Sequence, residues 1–145
     1  MQHRLWGWVL SLSLMCLGTD TMPQDSDPFA IIAAPDVSQQ TLSPNALRAI
    51  FSMRLNSWPS GEPIRVYVLR DTHPAHIKFC KQVLNIYPHQ LRFAWDRQVF
   101  SGTSQAPRQV DSEEAMRIQV SLTPGAIGYL EGSMVNDSIR VIPIQ

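Results

Sequence analysis

Residues 97–110, RQVFSGTSQAPRQV, contain groups suited to binding a small oxyanion. Ser101, Gly102 and Thr103 offer two hydroxyls around a free backbone N–H, with an arginine on either side. Hydroxyl, amide and guanidinium groups all donate hydrogen bonds to phosphate-like oxygens. The same residues are typical of a turn that ends a helix, with Gly102 as the exit residue. Because a helix C-terminus presents carbonyl oxygens and partial negative charge, we expect the turn rather than an anion site.

A second group of chemically active side chains is the D-x-H-x-x-H pattern of Asp71, His73 and His76, near a predicted helix start. Two histidines with Asp71 or His89 would supply the ligand types that zinc prefers. Proline 74 lies between the histidines, and the spacing matches no fixed ligand pattern. We therefore predict no metal and no cofactor.

Length and charge limit the function classes. The chain has 145 residues, with 12 basic and 12 acidic side chains. This length suits one domain with a modest core. Balanced charge gives no electrostatic attraction to nucleic acid, so a nucleic-acid partner is not expected.

The N-terminus has the features of an export signal. A short basic region precedes the apolar stretch Leu5–Leu17, which is too short for a comfortable membrane span. Cleavage after Gly18 would leave residues 1–18 as a signal peptide, 19–27 as a flexible acidic lead-in and 28–145 as one periplasmic domain. A lipid anchor on Cys16 is the rival, but the bulky Met15 disfavours it. An uncleaved signal anchor is a third alternative.

Cys80 would be the only cysteine left after that cleavage. It lies among apolar residues, and no helix start or basic neighbour would favour its thiolate. We expect a small core residue rather than a nucleophile. The sequence also contains no nucleophile elbow, phosphate-binding loop or dinucleotide fingerprint, so we predict that the protein is not an enzyme.

The elements that must position these residues alternate between strands and helices. Apolar and β-branched runs predict strands over 29–34, 64–69, 126–130 and 139–144. Proline and cap residues predict helices from Ser43-Pro44, over 74–84, over 88–100, and from Asp111 to about 122. Apolar residues fall at helical spacing in two of these helices: Leu47, Ile50, Phe51 and Leu55, and Leu91, Trp95 and Val99. The order predicts an α/β domain with a mixed sheet flanked by helices, and Pro143 indicates that the last strand lies at an edge.

Three segments together resemble a known family: LSPNALRAIFSMRLNSWPSGEPI, WDRQVFSGTSQAPRQVDSEEAMRIQV and TPGAIGYL. They are similar to the phosphate ABC transporter substrate-binding proteins, and in particular to short periplasmic proteins with part of that type II periplasmic-binding-protein fold. The resemblance covers nearly the whole chain after Pro28 and implies a domain like one lobe of that fold. It also implies that Ile50, Phe51, Trp58, Gly125 and Gly128 form the fold rather than contact a ligand.

The resemblance implies where an anion site would lie. Full-length relatives have two lobes and bind an oxyanion in the cleft between them, using an arginine followed by a Ser-Gly-Thr turn that opens a helix. Arg70 matches that arginine, but Pro74-Ala75-His76 stands at the turn. Since proline lacks an N–H and alanine a hydroxyl, the phosphate site is not carried over. Ser101-Gly102-Thr103 repeats the pattern at the wrong place in the fold.

Two functions follow from this interpretation. The first is an exported, non-enzymatic domain for ligand sensing or protein interaction in the periplasm, beside a membrane sensor or transporter. The alternative is a solute-binding subunit that completes its cleft as a homodimer, with Arg70, Ser101, Gly102 and Thr103 around a small oxyanion.

Overall fold

A computed structural model of the protein describes residues 28–145. The predicted signal peptide and lead-in lie outside these residues. The strands are β1 (Phe29–Ala33), β2 (Arg65–Leu69), β3 (Arg108–Val110), β4 (Ala126–Glu131) and β5 (Arg140–Ile142). The helices are α1 (Pro44–Phe51), α2 (Pro74–Phe79), α3 (Pro88–Phe100) and α4 (Glu113–Leu122), with a π-helical turn at Cys80–Leu84 after α2 and a 3₁₀ turn at Gly132–Met134. Within this part of the chain, no helix is long and apolar enough to span a membrane.

The five strands form one mixed sheet in the order β3-β2-β4-β1-β5. Strand β2 runs parallel to both β3 and β4, while β1 is antiparallel to β4 and β5. The three parallel strands therefore end at the same side of the sheet, which we call the carboxyl edge. The predicted mixed α/β fold is confirmed, and β5 lies at the sheet edge that Pro143 indicated.

Strand β3 was not predicted from the sequence. It has three residues, and Arg108 and Gln109 are exposed, so no apolar pattern marks it. Its pairing places Val110 beside Leu69. The residues that follow these two strands, Asp111 and Arg70, consequently become neighbours at the carboxyl edge.

Helix starts follow the sequence signals closely. The Ser43 hydroxyl accepts a hydrogen bond from the Ala46 N–H at 3.1 Å and caps α1, whose first residue is Pro44. Helix α2 is capped instead by a histidine, because Nδ1 of His73 accepts from the Ala75 N–H at 3.1 Å. Helix α3 has the predicted bounds.

The residues predicted to pack α1 against the sheet are buried. Ile50 and Phe51 are fully buried, and the Trp58 indole N–H donates to the Gly125 carbonyl oxygen at 3.0 Å. Leu55 and Val99, which share the helical spacing of the apolar stripes, are 40% and 46% exposed. Leu55 lies beyond the end of α1, and Val99 lies in the last turn of α3, where the helix extends away from the core.

Gly125 and Gly128 lie at positions where the fold leaves no room for a side chain. The φ of Gly125 is +71°, a region that favours glycine, and a Cβ there would lie 2.4 Å from the Pro63 carbonyl oxygen. Gly128 in β4 likewise has no room for a side chain, since its Cβ would lie 2.6 Å from Met116 Sδ. Both glycines are fold-making residues, as the resemblance implied.

Candidate binding surfaces at the carboxyl edge and on helix α3

Arg70 lies at the carboxyl edge, directly after β2, but it already has a carboxylate partner. Its Nη2 and Nε atoms lie 2.6 and 2.8 Å from Oδ1 of Asp111. The two side chains are 65% and 79% exposed, so the ion pair is in contact with water. An anion at Arg70 would have to compete with both Asp111 and solvent.

The histidine at the start of α2, His76, points into the core. Pro74-Ala75-His76 opens this helix, at the place where the resemblance put the family's Ser-Gly-Thr turn. His76 is fully buried, and its Nδ1 lies 2.5 Å from the hydroxyl of Tyr129 on β4. That hydroxyl also accepts the Leu69 N–H at 2.9 Å, so one oxygen atom joins β2, β4 and α2.

The Nε2 side of His76 faces a cysteine and a carboxylate. It lies 3.4 Å from Cys80 Sγ and 3.8 Å from Asp71 Oδ1. The other oxygen of Asp71 accepts from Arg92 Nε at 2.6 Å, whereas Oδ1 has no hydrogen-bond partner within the described chain. We call His76, Tyr129, Cys80, Asp71 and Arg92 the buried polar network.

Burial controls the protonation of this network. It lowers the pKa of His76 to about 4, a shift that Asp71 opposes and that Arg92 and His73 reinforce. At neutral pH the imidazole is uncharged, so its approach to Asp71 is not an ion pair. Hydrogen bonds through Tyr129 join α2, β2 and β4, and Arg92 on α3 binds Asp71, whose Oδ1 lies 3.8 Å from His76 Nε2. The neutral histidine is a structural rather than a charged group.

The thiol of Cys80 is a poor nucleophile in this setting. Burial, reinforced by the Asp71 charge, raises its pKa to about 12, and the pKa of Tyr129 is also raised by burial. The thiolate is the reactive form of cysteine, and it is hardly populated at such a pKa. Cys80 is fully buried, as expected for a core residue.

The histidines of the D-x-H-x-x-H pattern do not form a ligand set. His73 uses Nδ1 to cap α2, and His76 uses its Nδ1 on Tyr129. Among residues 28–145, no group of three or more His, Cys, Asp or Glu side chains is placed to hold a metal ion.

Ser101, Gly102 and Thr103 form the turn that ends α3. Gly102 has a φ of +70°, and its N–H donates to the Val99 carbonyl oxygen at 3.1 Å. The two hydroxyls lie 2.6 Å apart, and each bonds to Gln98: Ser101 Oγ to the carbonyl oxygen at 3.1 Å, and Thr103 Oγ1 to the side-chain oxygen at 2.9 Å. The predicted turn is confirmed. The groove beside Ser101 is lined by α3 residues and does not include Arg70.

Helix α3 presents an exposed apolar surface that the sequence analysis did not identify. Phe93 is 66% exposed and Phe100 is 90% exposed, and both line a shallow groove on the helix. We call this surface the α3 outer face; its members are Gln90, Phe93, Asp96, Arg97, Phe100 and Ser101. The opposite side of the helix is buried through Leu91, Ala94 and Trp95.

Two signals in the sequence mark these features. Phe93 and Phe100 are seven residues apart on a helix whose buried stripe begins at Leu91, so they belong to the other side. His76 and Cys80 are four apart and share one face of their helix. Nothing in the sequence alone connects them with Tyr129, which lies on a different element.

No protein-family model matches the chain, and a search of curated proteins finds no match. Solved structures do match. A protein described as a phosphate ABC transporter substrate-binding protein with bound phosphate, from Clostridium perfringens, is 17% identical with a TM-score of 0.66. An ABC-type phosphate transport receptor from Vibrio cholerae is 14% identical with a TM-score of 0.64, and PstS from Borrelia burgdorferi is 16% identical with a TM-score of 0.65.

Each match covers 81% of this chain but only 44%, 46% and 47% of those three proteins, respectively. The chain therefore spans less than half the length of the structures it resembles. At these identities the likeness concerns the fold. The described chain has the α/β fold of a single lobe of the periplasmic binding proteins, as the sequence resemblance implied.

Proposed function

We propose that this protein is an exported, non-enzymatic interaction domain that binds another protein through the α3 outer face. One observation carries the proposal: two phenylalanines, 66% and 90% exposed, stand on one side of a helix in a domain whose other phenylalanines on described elements are buried. Large exposed apolar patches rimmed by polar groups mark interaction sites.

The composition of this face fits a protein partner. Phe93 and Phe100 are separated by the charged pair Asp96 and Arg97. Aromatic residues and arginine are enriched at the centres of protein interfaces. The groove between these side chains is open rather than enclosed, so a small molecule would keep much of its surface in water.

The non-enzymatic part of the proposal is supported by the buried polar network. Its histidine is neutral and buried, and its thiol has a raised pKa, so neither is prepared for acid–base or nucleophilic chemistry at neutral pH. Export is supported by the apolar N-terminal segment and by the fold. The printed names of the structural neighbours describe transport receptors and substrate-binding proteins, which makes a membrane transporter or sensor a reasonable partner class.

Site-specific photocrosslinking in the native cell tests this function. A photoreactive residue replaces Phe93 in one variant and Leu122 in a control, since Leu122 is 74% exposed at the end of α4. We expect a discrete crosslinked species from position 93 only. Absence of crosslinks at 93, or equal crosslinks at both positions, would contradict the proposal.

A second candidate function, oxyanion binding in a cleft completed by a partner lobe, is favoured by the position of Arg70. Ligands of open α/β sheets bind beyond the carboxyl ends of the strands, and Arg70 lies there with an exposed guanidinium. The competition from Asp111 and the missing second half of a cleft argue for weak binding.

Isothermal titration with inorganic phosphate distinguishes the two functions. We expect a dissociation constant no better than roughly 1 mM for the wild-type protein, because water competes for every hydrogen bond of an unenclosed anion. Micromolar binding that is lost in Arg70→Ala would favour the second function. Micromolar binding lost in Ser101→Ala instead would assign the anion to the turn after α3.

A further inference from the structure

We propose that the partner of the α3 outer face is a second copy of this chain, bound with the two α3 helices antiparallel around a two-fold axis between Asp96 and Arg97. This inference rests on the proposed function and names its partner. A two-fold interface uses the same patch on both subunits, so the patch must be complementary to itself.

The residues of the α3 outer face have this self-complementary order. Counted from the point between Asp96 and Arg97, Phe93 and Phe100 lie at equal distances along the helix. An antiparallel pair centred there places Phe93 of one copy opposite Phe100 of the other, at both ends of the interface. The same register places Asp96 of each copy opposite Arg97 of the other.

The central charges are available for this pairing. Asp96 and Arg97 are both exposed, and among residues 28–145 neither takes part in an ion pair within its own chain. Opposite charges at the centre favour the antiparallel register, whereas a parallel pair would place Asp96 near Asp96 and Arg97 near Arg97. The charges thus select the same arrangement that pairs the aromatic rings.

The surface beside Phe93 can accommodate the incoming ring. A second groove of about 490 Å³ adjoins it, and its apolar lining includes Ile77, Tyr87 and Pro88. Phe100, which is 90% exposed at the end of α3, has little contact with its own chain. In the dimer, Phe100 of the second copy would lie between this groove and Phe93.

The interface is small, so the dimer should be weak. A helix with the length of α3 is roughly 20 Å long, and one helix pair buries less surface than the roughly 800 Å² per partner of a standard stable interface. We expect a dissociation constant on the order of 10–100 μM. Protein concentrations in this range can be used in sedimentation experiments.

Sedimentation velocity over a concentration series tests the inference. The protein is purified in the form that accumulates in the cell. Asp96→Arg and Arg97→Asp each place like charges opposite one another, and each should raise the dimer dissociation constant at least tenfold. The exposed positions of both residues keep the fold unaffected, which circular dichroism checks. Leu122→Ser is the control and should leave the dissociation constant unchanged.

Charge exchange gives the decisive result. An equimolar mixture of Asp96→Arg and Arg97→Asp should form heterodimers at least as tightly as the wild type, because every central pair is then attractive. The double variant, with both substitutions in one chain, should also recover dimerisation. Recovery in both experiments supports the antiparallel register.

Other outcomes overturn the inference and separate it from the proposed function. A wild-type protein that remains monomeric up to 1 mM, on the order of ten times the weakest expected constant, excludes this dimer. If position 93 still crosslinks to a different protein, the proposed function stands with another partner. If it crosslinks to nothing, both fail. A dimer that is indifferent to the charge variants would show a different interface.

Discussion

Helices α2 and α3 follow one another in the chain, both begin with proline, and they use polar and apolar side chains in opposite ways. Helix α2 and its π-helical turn bury a histidine and a cysteine completely, whereas α3 leaves two phenylalanines exposed. Most buried polar groups in proteins have a hydrogen-bond partner, and Tyr129 is that partner for Nδ1 of His76. Exposed phenylalanines need no hydrogen-bond partner, but their apolar surface favours association with another protein. The two helices therefore differ in what they hide: polar groups lie inside at α2, whereas aromatic rings lie outside at α3.

The largest expected effect compares one residue type on the two helices. Phe79, at the end of α2, is fully buried, and its ring stacks on Tyr129 at 3.8 Å. Phe79→Ala should cost about 3–5 kcal/mol of unfolding free energy, while Phe93→Ala on α3 should change it by less than about 0.5 kcal/mol. Urea denaturation of both variants measures this. Similar losses would contradict the assignment of Phe93 to an exposed surface.

A smaller effect should appear as a dependence of stability on pH. The pKa of His76 is lowered from 6.5 to about 4 in the folded protein, so the unfolded chain binds the extra proton between these values. Stability is therefore fully present above about pH 6.5 and falls as the pH decreases to 4, by up to about 3 kcal/mol from this residue. The free energy of unfolding measured between pH 4 and 8 checks the direction. In His76→Gln that part of the slope should vanish; a slope equal to the wild type would assign it to other groups.

The smallest effect concerns one hydroxyl on each side of the comparison. Tyr129→Phe leaves the Leu69 N–H and His76 Nδ1 without their shared partner and should cost about 1–3 kcal/mol. Tyr87→Phe, at a tyrosine that is 55% exposed beside α3, should be neutral within about 0.5 kcal/mol. Chemical denaturation at pH 7 compares the two. If Tyr129→Phe were also neutral, the network would be dispensable.

Local signals predicted most of the fold. Proline and cap residues located the start of α1 and both ends of α3, and apolar runs located four of the five strands. Strand β3 was not predicted because it is held by backbone hydrogen bonds to β2 and has no apolar pattern of its own. The positions of Leu55 and Val99 on the apolar stripes were assigned by periodicity alone, which cannot show where the core ends.

The candidate surfaces were harder to predict because they depend on contacts between distant residues. The turn at Ser101-Gly102-Thr103 was predictable, since the helix dipole and the glycine act locally. The partners of Arg70 and His76 are Asp111 and Tyr129, which are far from them in sequence and meet them only across the sheet. The ligand-binding roles considered for Arg70, Ser101, Gly102 and Thr103 remain predictions for the titration to decide.

The position of β1 has a consequence for how the domain forms. This first described strand lies inside the sheet, between β4 and β5, and pairs Ile31 with Ile142. Contacts between such distant residues carry the entropy of closing a long loop and slow folding. Both edges of β1 can be paired only when β4 and β5 are both present. The sheet is therefore completed only after β5, Arg140–Ile142, has been synthesised.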